Sequence, residues 1–181
     1  GLGDRGVALS ADTTDEGAVE AALDDLAAAT GGSAPGALVA NAGIVRFGPL
    51  LDATVDDWRA VVDVNLTGTF VAARAVARRL VAAGRPGSIV AVTSMNGVAP
   101  GPNAGAYGAT KAAVARLTQQ MALEWGPHAI RVNAVAPGLI DGGMSAPIYA
   151  DPATRRRRQD RAPLGRPGTP AHVAPGGLSP P

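Results

Sequence analysis

The chain has 181 residues, 17% of them charged, and its formal net charge at pH 7 is +1. This length suits one domain with a single core, and the near-neutral charge gives no reason to expect binding to nucleic acid or to an anionic membrane. Without cysteine there can be no disulfide and no thiolate metal site. His128 and His172 are too far apart for a metal-site interpretation. No apolar run approaches the ~20 residues of a membrane span and no signal peptide is visible, so we expect a cytoplasmic protein.

The first residues contain a glycine pattern that we interpret as a turn. Residues 1–6, GLGDRG, have the spacing G-x-G-x-x-G, but a dinucleotide-binding turn follows a strand, and no strand precedes them. Residues 7–10 are a strand-like run. Asp12 follows and by itself is compatible with a simple helix-flanking acid. Thr13 and Glu16 have the spacing of a capping box and predict a helix that ends at residues 31–33.

A second predicted strand, Ala37–Ala40, ends at Asn41-Ala42-Gly43. Open α/β sheets bind ligands at the carboxyl ends of their strands, where small residues let a ligand approach the backbone. A plain turn is the alternative. A long helical pattern then runs from about residue 64 to 83 and contains Asn65. Its amide competes for backbone hydrogen bonds, so it is awkward in a helix interior.

The most informative stretch is residues 93–111. Ser94 closes the apolar strand 88–93, which has the composition of a parallel strand covered on both faces, and a glycine- and proline-rich loop follows. A helix then opens with Tyr107 and carries Lys111, the only lysine in the chain, on the same face. A cation ~4 Å from a phenol is worth about 4 kcal/mol at an effective dielectric of ~20, before desolvation. It therefore favours the phenolate and suits the phenol to general acid–base catalysis. An ordinary surface helix is the alternative.

The last predicted strand is 130–136, with Pro137-Gly138 as the next ligand-side turn. Residues 141–163 are rich in Gly, Pro, Asp and Arg and predict a mobile substrate loop. The run Arg155–Arg158 has two interpretations. It grips a phosphate or carboxylate on a substrate, or, more simply, it is a solvated charge run.

Ser94 together with Tyr107-Gly108-Ala109-Thr110-Lys111 resembles the active-site signature of the short-chain dehydrogenases/reductases. Five other segments resemble that family's pattern in the same order: Asp12 after a strand, Asn41-Ala42-Gly43, Asn65-Leu66-Thr67-Gly68, residues 130–138, and Pro163-Leu164-Gly165-Arg166. The resemblance covers about residues 7–173. It implies an α/β fold, a Rossmann-type doubly wound parallel sheet that is incomplete at both ends. We expect residues 1–174 to form a partial domain, with an irregular Pro/Gly tail at 175–181, and the chain to be a fragment lacking the family's glycine-rich unit and last strand.

The resemblance also implies an activity. The family members are NAD(P)-dependent oxidoreductases that interconvert an alcohol and a ketone or aldehyde by hydride transfer. The implied catalytic set is Ser94, Tyr107 as general acid/base, Lys111 and Asn65, which would hold a water that links Lys111 to solvent. The implied cofactor contacts for NAD or NADP are Asp12, Thr13, Asn41, Ala42, Gly43, Tyr107, Lys111, Pro137, Gly138 and Ile140.

Two positions depart from the family pattern. Ala40 stands where the family has a first Asn, and Gly142 stands where a Thr would bond the nicotinamide amide, so we expect looser positioning of the nicotinamide. The implied partners are a small carbonyl or alcohol substrate and, through the Ala-rich helices 66–83 and 107–126, further copies in a homodimer or homotetramer. Burial of those helices within one copy is the alternative.

The competing hypothesis is a catalytically inactive fragment, or an interaction module that has lost cofactor binding. Without the family's first two strands and glycine turn, we expect this chain to bind NAD(P)H weakly or not at all. A dinucleotide-sensing regulator is disfavoured because it would not need Tyr107 and Lys111.

Overall fold

A computed structural model describes residues 6–174. Its centre is one parallel sheet of three strands in the order β1 (Ala37–Ala40), β2 (Gly87–Val92), β3 (Ile130–Val135). The register places Leu38 beside Ile89 and Ile89 beside Val132. Because all three strands run in one direction, their carboxyl ends meet at a single edge, where open α/β sheets bind ligands.

Seven α-helices accompany these strands within residues 6–174. They are α1 (Glu16–Ala29), α2 (Val55–Val62), α3 (Gly68–Ala82), α4 (Gly105–Trp125), α5 (Ala146–Tyr149), α6 (Pro152–Arg161) and α7 (Pro170–Val173). A π-turn, Asp63–Thr67, joins α2 to α3, and short 3-10 turns cover Leu50–Asp52, Met95–Gly97, Gly126–His128 and Gly143–Ser145. The alternation of strands and helices confirms the predicted α/β class.

The main hydrophobic core lies between the sheet and the pair α3 and α4. It contains Ala73, Val76, Ala77, Leu80, Ile89, Met121, Ile130 and Val132. Along β3 the burial alternates, with Ile130 and Val132 buried and Arg131 and Asn133 exposed. The expectation that both faces are covered concerned the strand at 88–93, and in β2 the consecutive residues Ile89, Val90 and Ala91 are all buried, as that expectation requires.

The segment 7–10 is not a strand, contrary to the sequence prediction. It makes no ladder, and Val7 and Leu9 are 47% and 43% exposed. A strand needs a hydrogen-bonded neighbour, and β1 pairs only with β2 among residues 6–174. An apolar run without a partner strand stays irregular.

The predicted capping box at Thr13 and Glu16 is also wrong. The cap of α1 is Asp15, whose carboxylate accepts a hydrogen bond from the Ala18 backbone N–H at 3.1 Å. Thr13 instead belongs to the turn before the cap. A side chain two positions closer to the helix caps it instead.

Residues 141–163 contain helices rather than the predicted loop. Asp151 caps α6 by accepting from the backbone N–H groups of Ala153 and Thr154, and Pro152 occupies the first helical position. Arg155 then pairs with Asp141 at 2.8 Å and holds α6 against the chain that follows β3. The predicted tail at 175–181 and most of the GLGDRG turn lie outside the described residues.

The continuous helical stretch Val55–Ala82 is long and apolar enough to cross a membrane by length and composition, with a mean hydropathy of 1.3 over its best window. The sequence prediction concerned an uninterrupted apolar run, and this stretch is interrupted by charged residues such as Asp63 and Arg74. Half of that window is buried inside the protein, where α3 contributes to the core. Burial against the sheet accounts for its apolar composition.

Replacing Leu80 with alanine tests the position of the core. Leu80 is completely buried between α3 and the sheet, so we expect Leu80→Ala to lower the free energy of unfolding by about 2–5 kcal/mol. Leu51→Ala is the matched control, since Leu51 is 99% exposed and its loss should change stability by less than about 0.5 kcal/mol. Urea denaturation followed by circular dichroism measures both. Equal losses in the two variants would contradict this core.

Candidate active site

The turns that follow the three strands line one cavity of about 1050 Å³. Asn41–Gly43 follow β1, Ser94 follows β2, and Pro137-Gly138 follow β3, while α4 adds Tyr107 and Lys111. The ends of β2 and β3 are tied together, because the Met95 backbone N–H donates to the Pro137 carbonyl at 2.9 Å. The carboxyl edge of the sheet is therefore the floor of the site.

The turn that carries Ser94 rests directly on the backbone of α4. A β-carbon added at Gly97 would lie 2.7 Å from the carbonyl carbon of Lys111, so only glycine permits this approach. The Ser94 Oγ accepts a hydrogen bond from the Asn96 backbone N–H at 3.2 Å. Because the hydroxyl accepts this bond, its own hydrogen stays available for a ligand in the cavity.

Lys111 is the buried cation of the site. It is 4% exposed, and its Nζ donates to the Val92 carbonyl at 2.7 Å and lies 5.6 Å from the centre of the Tyr107 ring. Burial lowers the pKa of the Lys111 ammonium below its ordinary value. Within residues 6–174 no carboxylate lies within 4.0 Å of it. The ammonium and the phenol thus share one face of α4, as their spacing predicts.

Asn65 acts as a clamp between the loop after β1 and helix α4. It is completely buried in the π-turn, its Oδ1 accepts from the Ile44 N–H at 2.8 Å, and its Nδ2 donates to the Ile44 carbonyl at 2.9 Å and to the Thr110 Oγ1 at 3.2 Å. A β-carbon on Gly43 would lie 3.2 Å from the Asn65 Oδ1 and 3.6 Å from the Lys111 Nζ. Asn65 therefore lies close to Lys111, but it does not line the cavity.

Two of the predicted cofactor residues also lie away from the cavity wall. The Asp12 carboxylate accepts hydrogen bonds of 2.8 Å from the N–H and the hydroxyl of Thr14, which lower the pKa of Asp12. Thr13 packs on α3, where a β-carbon at Gly68 would lie 2.8 Å from its Oγ1. The other eight predicted positions line the cavity: Asn41, Ala42, Gly43, Tyr107, Lys111, Pro137, Gly138 and Ile140.

The glycine that replaces the expected threonine has a local structural cause. Gly142 has φ = 153°, a conformation that side-chain-bearing residues rarely adopt. A β-carbon there would lie 2.8 Å from the Cγ of Pro170, at the start of α7. Pro170 thus occupies the space that a threonine side chain would need.

Sequence reasoning missed the residues that α5, α6 and the neighbouring turn add to the cavity. These are Met144, Ser145, Ile148, Arg158 and Arg161. The arginine run did stand out in the sequence. Only a helical periodicity across 152–161, which the loop-like composition obscured, would have shown that Arg158 and Arg161 share a face.

The chain is similar in sequence to proteins of known function. A family model described as Enoyl-(Acyl carrier protein) reductase matches residues 1–177. The 3beta-hydroxysteroid dehydrogenase 1 of Eggerthella lenta is 35% identical over 172 residues, which are 95% of this chain and 65% of that protein. The Inactive 2-(S)-hydroxypropyl-CoM dehydrogenase 2 of Xanthobacter autotrophicus is 39% identical over 170 residues, 92% of this chain and 73% of the relative.

A solved structure shows the same fold. The gluconate 5-dehydrogenase from Burkholderia cenocepacia J2315, in complex with NADP and tartrate, superposes with a TM-score of 0.85 at 35% identity. The match covers 92% of this chain and 64% of that one. The chain therefore spans slightly less than two thirds of the length of this structure and of the steroid dehydrogenase.

The protonation of Lys111 can be measured directly because the chain has a single lysine. We expect one lysine resonance in a sample labelled at the lysine ¹³Cε, with a titration midpoint below the ~10.4 of an exposed lysine, since burial disfavours the ammonium. The same sample unfolded in urea supplies the reference titration. A native midpoint equal to or above the unfolded one would contradict the buried position.

Proposed function

The chain belongs to the short-chain dehydrogenase/reductase family, and we propose that it carries the catalytic centre of an NAD(P)-dependent oxidoreductase that interconverts an alcohol and a ketone or aldehyde. The observation that carries this proposal is the convergence of Ser94, Tyr107 and Lys111 on one cavity. A phenol can transfer a proton to a carbonyl oxygen, a buried ammonium can stabilise the phenolate, and a hydroxyl with a free hydrogen can hold the oxygen in place.

Each of these three side chains has a distinct role in the proposal. In the reductive direction, Tyr107 donates its phenolic proton to the substrate oxygen, and in the oxidative direction the phenolate takes that proton back. The Lys111 ammonium stabilises the phenolate that remains after donation, because charge interactions are strengthened where water is excluded. The Ser94 hydroxyl donates a hydrogen bond to the same substrate oxygen and fixes its position.

We propose Asn65 as a positioning residue. Its amide is engaged by Ile44 and Thr110, which leaves little capacity for a bridging water on the side chain. By holding the loop after β1 against α4, Asn65 keeps Gly43 close to the Lys111 ammonium.

The residues present fit the nicotinamide and ribose half of a dinucleotide. Asn41 and Lys111 offer hydrogen-bond donors, and a β-carbon on Gly138 would meet nothing within 4 Å, which leaves room for a ligand. When bound, the cofactor supplies or accepts the hydride. The pyrophosphate half has no comparable place at α1, because Asp15 and Glu16 at its N-terminus would repel phosphate.

The cofactor and the substrate class draw support from similar proteins. The solved gluconate 5-dehydrogenase holds NADP, and we propose NAD or NADP for this chain. The names of the relatives span steroid and sugar-acid alcohols, so the proposed substrate is a small-molecule alcohol or carbonyl compound.

We further propose a cytoplasmic homodimer or homotetramer that pairs through α3 and α4. Phe70 and Val81 on α3 are 37% and 43% exposed, and Leu123 on α4 is 75% exposed. Apolar side chains exposed on two neighbouring helices favour association with a second copy.

A second candidate is a member of the family without catalysis. The relative from Xanthobacter autotrophicus is named inactive, and the acidic N-terminus of α1 offers no seat for the pyrophosphate. In this case the chain would retain the fold and its interaction surfaces, while cofactor binding would be weak.

Substitution of Tyr107 tests the proton transfer. In a preparation that turns over an alcohol or ketone, Tyr107→Phe should lower kcat on the order of 100- to 10,000-fold, because the proton donor is removed. Binding of NAD(P)H, followed by nicotinamide fluorescence, should be nearly unchanged and serves as the control for folding. Turnover that survives the substitution would rule out Tyr107 as the acid/base.

Titration with reduced cofactor separates the two candidates for the 181-residue chain itself. We expect NADH and NADPH to bind more weakly than in the micromolar range, because the acidic N-terminus of α1 would repel the pyrophosphate. Micromolar binding, measured by enhancement of nicotinamide fluorescence, would contradict this expectation and favour the active candidate.

A further inference from the structure

Helix α6 directs two of its arginines to the catalytic cavity. Arg158 and Arg161, three residues apart and therefore on one face of the helix, line the same cavity as Ser94 and Tyr107. Arg156 and Arg157 lie on the same helix but are exposed and do not line it. Helix α6 thus carries two arginines that line the site and three, Arg155 to Arg157, that do not.

The arginines at the cavity have no protein anion to neutralise them. Arg155 is paired with Asp141 at 2.8 Å, whereas no carboxylate of residues 6–174 lies within 4.0 Å of Arg158 or Arg161. The described lining of the cavity includes the cations Lys111, Arg158 and Arg161 and neither aspartate nor glutamate. In a chain whose net charge is only +1, this cavity concentrates positive charge.

Arg158 lies over the ring of Tyr149. The ring is 2% exposed, and the guanidinium carbon of Arg158 lies 5.1 Å from its centre. Arg155 also stacks on this ring, at 5.5 Å, and its Nε donates to the Tyr149 carbonyl at 3.2 Å. A guanidinium that lies over an aromatic ring has N–H groups available for the two-point binding of a carboxylate or phosphate.

We propose that Arg158 and Arg161 bind an anionic group, a carboxylate or a phosphate, on the substrate whose reacting oxygen lies at Ser94 and Tyr107. The substrate is then an alcohol or ketone that carries a negative charge. The inference rests on the proposed function only for the position of the reacting oxygen. The binding of the anionic group does not require turnover. The phosphates of a dinucleotide are the other source of such an anion, and the experiment separates the two.

The experiment compares levulinate, a ketone with a carboxylate, with methyl levulinate, the same ketone without the charge. Dissociation constants are measured by ligand-observed NMR on the 181-residue chain without cofactor. We expect levulinate to bind more tightly than its ester, and Arg158→Gln/Arg161→Gln to weaken levulinate binding by about tenfold or more while leaving the ester unchanged. Arg156→Gln/Arg157→Gln is the matched control, because it removes the same charge from the same helix and should bind levulinate like the unmodified chain. Circular dichroism verifies the fold of both variants.

Three results would overturn the proposal. The first is that levulinate and its ester bind equally, or that neither binds. The second is that both double variants lose levulinate binding to the same extent, which indicates a general charge effect. The third is that Arg158→Gln/Arg161→Gln weakens NADPH binding while sparing levulinate binding, which assigns the arginines to the cofactor. Failure of the proposed function has a different signature, since absence of turnover would leave the preference for levulinate and its dependence on the two arginines intact.

Discussion

The site depends on one buried ammonium. Removing a charged amine from water is costly unless polar groups replace the lost hydration, and for Lys111 the replacement within the described chain is the carbonyl of Val92, the last residue of β2. This bond joins the start of α4 to the carboxyl end of the central strand. It fixes the helix face on which Tyr107 lies, so the same bond positions the residues proposed for catalysis and packs the helix on the sheet.

Close backbone contacts complete this arrangement. Gly97 lets the turn after Ser94 touch the backbone of α4, and Gly43 lets the loop after β1 approach both Asn65 and Lys111. Asn65 fixes that loop through paired hydrogen bonds to Ile44. A π-turn at this position adds a residue to the helical path and is frequent at functional sites. The shape of the cavity thus depends on close backbone contacts at glycine residues and on the Asn65 amide, which holds distant segments together beside it.

The segment after β3 adds further side chains to the cavity beside the carboxyl edge of the sheet. Helices α5 and α6 are attached through the Arg155–Asp141 pair and the ring of Tyr149, and an isolated bridge between Ile140 and Gly168 joins the chain after α6 to the segment after β3. Gly142 is required by its backbone angle and by Pro170, so a departure from the family pattern reflects local packing. The groups proposed for proton transfer lie on α4 and after β2, whereas this segment adds Arg158 and Arg161 to the cavity.

The sequence by itself determined the features that depend on local periodicity. Tyr107 and Lys111 share a face because a helix repeats every 3.6 residues, and Asn41–Gly43, Ser94 and Pro137-Gly138 meet because parallel strands end at one edge. Only the tertiary structure decided what depends on distant partners. Residues 7–10 have strand-like composition but no neighbouring strand among the described residues. Asn65 hydrogen-bonds to Ile44, twenty-one positions away. Of the arginines on α6, Arg158 and Arg161 line the cavity, whereas Arg156 and Arg157 do not. Hydrogen-bond partners and packing neighbours that are remote in sequence leave no local pattern, so composition alone could not reveal them.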